Sequence, residues 1–164
     1  MAKQYPYMVH FTQWDGNRGP DYAHERMDCT VRALAKVLDI TYMDAHRMLA
    51  EAGRQDRKPF VFAYYMFGFP TWQLLHGYRV VTVQKELSFA DSFDGGMVRR
   101  FARYATVGEF VKCMLPGRYI VRTPGHVFPV IDGEAFDTWF RPRARIKNIW
   151  RFDPQTLDYT RVVK

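Results

Sequence analysis

The stretch Arg118-Tyr119-Ile120-Val121-Arg122-Thr123-Pro124-Gly125-His126-Val127-Phe128-Pro129-Val130-Ile131-Asp132-Gly133-Glu134-Ala135-Phe136-Asp137-Thr138-Trp139 decides the fold. It reads with a period of two and is cut twice by turn dipeptides, Pro124-Gly125 and Asp132-Gly133. That pattern predicts three antiparallel strands, 118–123, 126–131 and 134–139, joined by two-residue loops. A two-residue loop at Asp132-Gly133 sets Ile131 opposite Glu134, Phe128 opposite Asp137 and His126 opposite Trp139. Because side chains alternate faces, His126, Phe128 and Val130 share one face with Ala135, Asp137 and Trp139. His126 and Asp137 are then diagonal neighbours with Cβ atoms roughly 7 Å apart, close enough for a carboxylate to meet an imidazole. Trp139, directly across from His126, is placed to shield that contact from water.

Upstream of these strands the period is helical. Thr106 and Glu109 form a capping box for a helix over 106–114, with Val107, Phe110, Val111 and Met114 as its apolar stripe. Nearer the N-terminus, Val31, Leu34, Ala35 and Leu38 make a core-facing stripe behind Asp28, read as an N-cap. Thr41 caps a second helix, whose stripe is Ala45, Met48, Leu49 and Ala52 and whose stop is Gly53. Residues 12–27 and 91–105 read as loops, 70–76 as a short helix and 78–83 as a strand. The apolar run 60–69 reads as core or groove wall. A last hairpin is expected over 148–163. Helices followed by an antiparallel sheet make an α+β plan, and the absence of repeats or linkers makes 1–164 a single domain with its core over 28–139.

Composition sets the outer bounds. The chain has 164 residues, 48% of them apolar and 16% aromatic, too rich in core-forming residues for a disordered basic tail. Its net charge of +7 is compatible with an anionic partner but names no chemistry. Two cysteines, Cys29 and Cys113, cannot build a disulfide framework or a four-thiolate zinc site. No run of roughly 18 to 20 apolar residues and no signal-peptide pattern occurs, so a soluble protein in a reducing compartment is expected.

Cys29 falls at a helix start, where first-turn N–H groups and the helix dipole favour a thiolate. A nucleophilic thiol needs a His as general base and a third group to orient it. His126 and Asp137 are the candidates. Cys113 lacks a partner signal and reads as structural. His10, His46 and His76 read as surface or packing residues, with His46 off its helix's apolar stripe and so pointing to solvent. A zinc site built from Cys29, His126 and Asp137 is disfavoured because no close ligand pair supports it, and no cofactor is expected.

The order Cys29 at a helix start, His126 opening a strand and Asp137 on the next strand resembles papain-like cysteine hydrolases. Asp137-Thr138-Trp139 looks like the papain Asn-Ser-Trp segment. Asp28-Cys29-Thr30-Val31-Arg32-Ala33-Leu34-Ala35, Gly125-His126-Val127-Phe128 and Val130-Ile131-Asp132-Gly133 resemble small bacteriophage-encoded papain-like proteins. The resemblance implies a nucleophile helix and helical hairpin packed on a C-terminal antiparallel sheet, with a Cys29-His126-Asp137 triad cleaving an amide or isopeptide bond. It implies protein, peptide or peptidoglycan substrates and residence in a host cytoplasm or virion. The family usually places an oxyanion-donating Gln six residues before the nucleophile, where Ala23 stands here. The Cys29 N–H offers one donor, with His24, Gln13 and Arg26 as candidates for the second.

The run Arg141-Pro142-Arg143-Ala144-Arg145-Ile146-Lys147 alternates cations along an extended segment. Arg141, Arg143, Arg145 and Lys147 thus form a candidate surface for an anionic partner, nucleic acid included, or a solvated edge strand whose charge blocks further pairing. The competing reading is a papain-fold binding or virion structural protein without catalysis.

Overall fold

A computed structural model of the protein describes residues 11–58, 60, 65, 75–82, 106–113 and 116–154. The expectations for 61–64, 66–74, 83–105 and 155–163, for His10 and for the side chains of Glu109 and Cys113 lie outside the described residues. Among those described, the elements run β1 (Phe11–Gln13), α1 (Cys29–Leu38), α2 (Tyr42–Glu51), β2 (Tyr78–Thr82), α3 (Val107–Cys113), β3 (Arg118–Thr123), β4 (His126–Ile131), β5 (Glu134–Asp137) and β6 (Asn148–Pro154). The architecture is α+β, as the period change requires. No helix among the described residues is long and apolar enough to cross a membrane.

Both turns take two residues, since Thr123 pairs with His126 and Ile131 with Glu134. The chemistry of the dipeptides explains why. Asp132 and Gly133 have φ of 49° and 82°, positive at both positions as a type I′ hairpin needs, while Gly125 supplies φ 71° after Pro124. The β4–β5 register is the expected one, with Val130 facing Ala135.

Two corrections concern the sheet. It has six strands in the order β1-β5-β4-β3-β6-β2, and it is mixed, because β1 runs parallel to β5. Residues 12–27 are therefore not all loop: Phe11, Thr12 and Gln13 sit beside Ala135, Phe136 and Asp137, and Pro20–Tyr22 forms a 3-10 turn. The core also passes beyond residue 139. β6 pairs with both β3 and β2 and buries Ile149, Trp150 and Phe152.

The alternation along the strands feeds two apolar layers. On one face Ile120, Val127, Trp150 and Phe152 pack with Val31, Leu34 and Leu38 of α1 and Leu49 of α2. On the other, Tyr119, Val121, Phe128 and Val130 pack with Val107, Phe110 and Val111 of α3. The predicted α1 stripe is the buried one. In α2, Ala45 and Leu49 are buried, but Ala52 is exposed and Tyr42 takes its place in the core. Thr41 caps α2 by accepting from the Asp44 N–H at 3.1 Å. Arg118 donates to the Lys36 and Val37 carbonyls, fastening the C-terminal end of α1 to β3.

Candidate active site

Cys29 is the first residue of α1 and is half-buried. His126 opens β4 and Asp137 ends β5, so three elements converge at one end of the strands. His126 Nε2 lies 2.5 Å from Asp137 Oδ2. Cys29 hydrogen-bonds to the same imidazole, and since Nε2 is engaged, Nδ1 is the nitrogen left to meet the thiol. The three sequence candidates are thus brought together.

Asp137 is only 3% exposed, and its second oxygen is also occupied. Oδ1 accepts from Arg32 Nη1 at 3.0 Å and from the Thr138 N–H at 2.8 Å. Arg32, one turn beyond Cys29, also donates from Nε to Asp28 Oδ1 at 3.0 Å, and Tyr42 donates its hydroxyl to Asp28 Oδ2 at 2.9 Å. Asp28 stands at the N-cap position, yet its side chain makes no cap hydrogen bond. The expectation that it caps α1 is corrected: a buried guanidinium has the stronger claim on the carboxylate. The chain Tyr42-Asp28-Arg32-Asp137-His126-Cys29 is a continuous network, buried from Tyr42 to Asp137 and half-buried at His126 and Cys29. Sequence reasoning missed Arg32 and Tyr42, although the Asp28/Arg32 spacing of four residues was a visible signal.

These charges polarise the pair. Burial pulls the His126 imidazole down, but its bonds to Asp137 and Cys29 and their negative charges outweigh that and raise its pKa to about 9. Burial pushes the Cys29 thiol up, while the His126 bond, the Val127 backbone bond and the charges of His126 and Arg32 bring it below its ordinary value. Both shifts favour the thiolate–imidazolium form of the pair over the neutral one.

The other candidates are placed differently. Trp139 is 67% exposed beyond the end of β5, with the Arg141 guanidinium 4.5 Å above its ring, so it does not shield the His126–Asp137 contact. Gln13 is exposed and sits in register with Asp137. His24 is drawn to Asp56, 4.0 Å away. His46 is not at the surface: it bonds to Glu25 at 2.8 Å and to Asp56 at 3.0 Å, and its side chain is 13% exposed. Glu25, buried on the loop before α1, needs that partner together with Arg54 and the Arg57 N–H. Its carboxyl is pushed up by burial and pulled further down by those bonds, to about 2.

The basic segment 141–147 is neither an edge strand nor extended throughout: the Ala144 N–H closes a turn on the Arg141 carbonyl at 3.2 Å, and Arg145 makes an isolated bridge to Thr106. Its carbonyls at Pro142 and Ala144 accept from the Gly108 and Val107 N–H groups, closing the start of α3. Arg141, Arg143, Arg145 and Lys147 are all exposed, alternating with half-buried Pro142, Ala144 and Ile146. A cavity of about 560 Å³ lies against this segment, and its lining includes His126, Asp137, Trp139, Arg141, Arg145 and Lys147. No family model, curated protein or solved structure matches the chain.

Proposed function

We propose that the protein is a cysteine hydrolase of papain-like plan that cleaves an amide or isopeptide bond through Cys29, His126 and Asp137. The observation that carries this reading is the imidazole of His126, held by a buried carboxylate on one nitrogen and hydrogen-bonded to a thiol at a helix start. A half-buried thiol with a lowered pKa, paired with an imidazole that lines a cavity, is the setting in which a nucleophilic cysteine works.

In the first step the Cys29 thiolate attacks the carbonyl carbon, and the negative charge moves to the carbonyl oxygen. The Cys29 N–H, one of the first-turn donors to which an α-helix gives no intrahelical partner, is the first candidate to stabilise that charge. Of the second-donor candidates, Gln13 beside Asp137 is retained, since His24 is engaged with Asp56. The tetrahedral species collapses as the imidazolium of His126 gives its proton to the leaving amine, and a thioester remains on Cys29. His126, now neutral, takes a proton from water, the resulting hydroxide attacks the thioester, and the carboxylic acid leaves with the thiolate restored. Asp137 holds the imidazole in the orientation that serves both halves, and Arg32 holds Asp137.

Reaction with iodoacetamide tests the reading without a substrate. Cys29 should be alkylated at neutral pH at least about tenfold faster than Cys113, and His126→Ala should abolish the difference. Equal, slow labelling of the two thiols would refute the hydrolase.

A further inference from the structure

The cavity beside His126 is charged with one sign. Arg141, Arg145 and Lys147 line it, and its one carboxylate among the described residues, Asp137, is buried and already bonded to Arg32 and His126. Arg141 is held in place by its stacking on Trp139. Phe128, Trp139 and Phe140 supply apolar wall between the cations. A group entering here meets Arg141 and Arg145 and, among the described lining residues, no exposed carboxylate, a setting in which a ligand carboxylate gains charge-assisted hydrogen bonds.

The position of the cavity ties it to the chemistry. Its lining includes His126 but not Cys29. An imidazolium that protonates the leaving amine has the released part of the substrate over it, so that part extends towards Arg141 and Arg145.

We propose that this cavity selects acidic peptides, with Arg141, Arg145 and Lys147 receiving their Glu or Asp side chains. The inference rests on the hydrolase reading. A peptide fits better than a nucleic acid for two reasons. A volume of about 560 Å³ holds a few side chains rather than a run of backbone phosphates, and Arg143, the remaining cation of the segment, is exposed but lies outside the lining.

The test is fluorescence anisotropy with fluorescein-labelled hexaglutamate, hexaglutamine and a single-stranded 20-base DNA. Three proteins are compared: the wild type, R141Q/R145Q/K147Q, and R47Q/K58Q/R79Q, which loses the same charge from exposed sites elsewhere. Hexaglutamate should bind the wild type at least about tenfold more tightly than hexaglutamine. The first variant should lose that preference and the second keep it, with thermal unfolding showing both folded. Equal affinity for the two peptides, or equal loss in both variants, overturns the inference. Tighter binding of the DNA, lost only in the first variant, overturns it in favour of a nucleic-acid site. The Cys29 alkylation rate is measured in parallel. If Cys29 labels no faster than Cys113, the hydrolase reading falls while a glutamate preference still stands as binding. If Cys29 is fast and the preference is absent, only the acidic selectivity falls.

Discussion

Arg32 Nη1 lies 3.0 Å from Asp137 Oδ1, a bond that crosses 105 residues of chain and ties α1 to the strand bearing the carboxylate. The guanidinium is shared with Asp28 and is 11% exposed at the side chain, so one cation is ion-paired with two buried carboxylates at once. Arg32→Met should cost about 3–5 kcal/mol in urea unfolding, because both carboxylates lose a counterion where water cannot replace it. It should also shift the pH profile of Cys29 alkylation upward, since a cation favouring the thiolate is gone. Arg32→Lys, which keeps the charge but not the fork, should restore part of the thiol shift and little of the stability.

The imidazole should titrate at about 9, followed by NMR of its ring C–H. Asp137→Asn and Cys29→Ala should each lower that value, because each removes a negative partner. The sign for stability follows from a folded pKa above the ordinary 6.5. The contribution of His126 is full below pH about 6.5 and is lost as pH rises through about 9.

Glu25 behaves in the opposite sense. Its pKa of about 2 lies below the ordinary 4.5, so its contribution is full above pH 4.5 and vanishes as pH falls towards 2. Glu25→Gln should flatten the acid limb of an unfolding-versus-pH curve. It should also cost about 3–5 kcal/mol at neutral pH, since Arg54 is left buried without its partner.

The two tryptophans of β6 and the post-β5 segment should separate cleanly. Trp150, 1% exposed in the layer beneath α1, should cost about 3–5 kcal/mol when changed to Ala. Trp139→Ala, at 67% exposure, should stay within about 0.5 kcal/mol in urea unfolding.

Gly16 backs the network from the N-terminal loop. Its φ is +89°, and a Cβ there would stand 2.6 Å from Arg32 Cγ. Gly16→Ala should therefore cost about 1–3 kcal/mol in unfolding free energy and slow Cys29 alkylation by displacing Arg32. Unchanged alkylation would show that Arg32 keeps its place by other contacts.

Local chemistry explains which of these features could be read from the residues. Asp132-Gly133 dictates a two-residue hairpin, and that alone puts Asp137 diagonal to His126. The α1 stripe and the Thr41 cap are equally local. β1 was missed because three residues carry no period, and its pairing with β5 is decided by tertiary contact, including the Trp14 N–H to the Asp137 carbonyl at 2.8 Å. Asp28 was misread because a cap and an ion-pair partner call for the same residue type, and only the fold brings Asp137 to the far side of Arg32. His46 follows the same logic: off the apolar stripe, it faces a buried carboxylate instead of water. Trp139 was placed by extrapolating a β4–β5 ladder that pairs no further than Val130 with Ala135, along a strand that ends at Asp137.

The long reach of the Arg32–Asp137 bond has a bearing on when the thiol becomes dangerous. A nascent chain presents Cys29 roughly a hundred residues before Asp137, and until the strands close, that cysteine has neither its imidazole nor its carboxylate. The reactivity proposed for Cys29 therefore depends on completed folding, and an unfinished or misfolded chain should carry a thiol no more prone to alkylation or oxidation than any other.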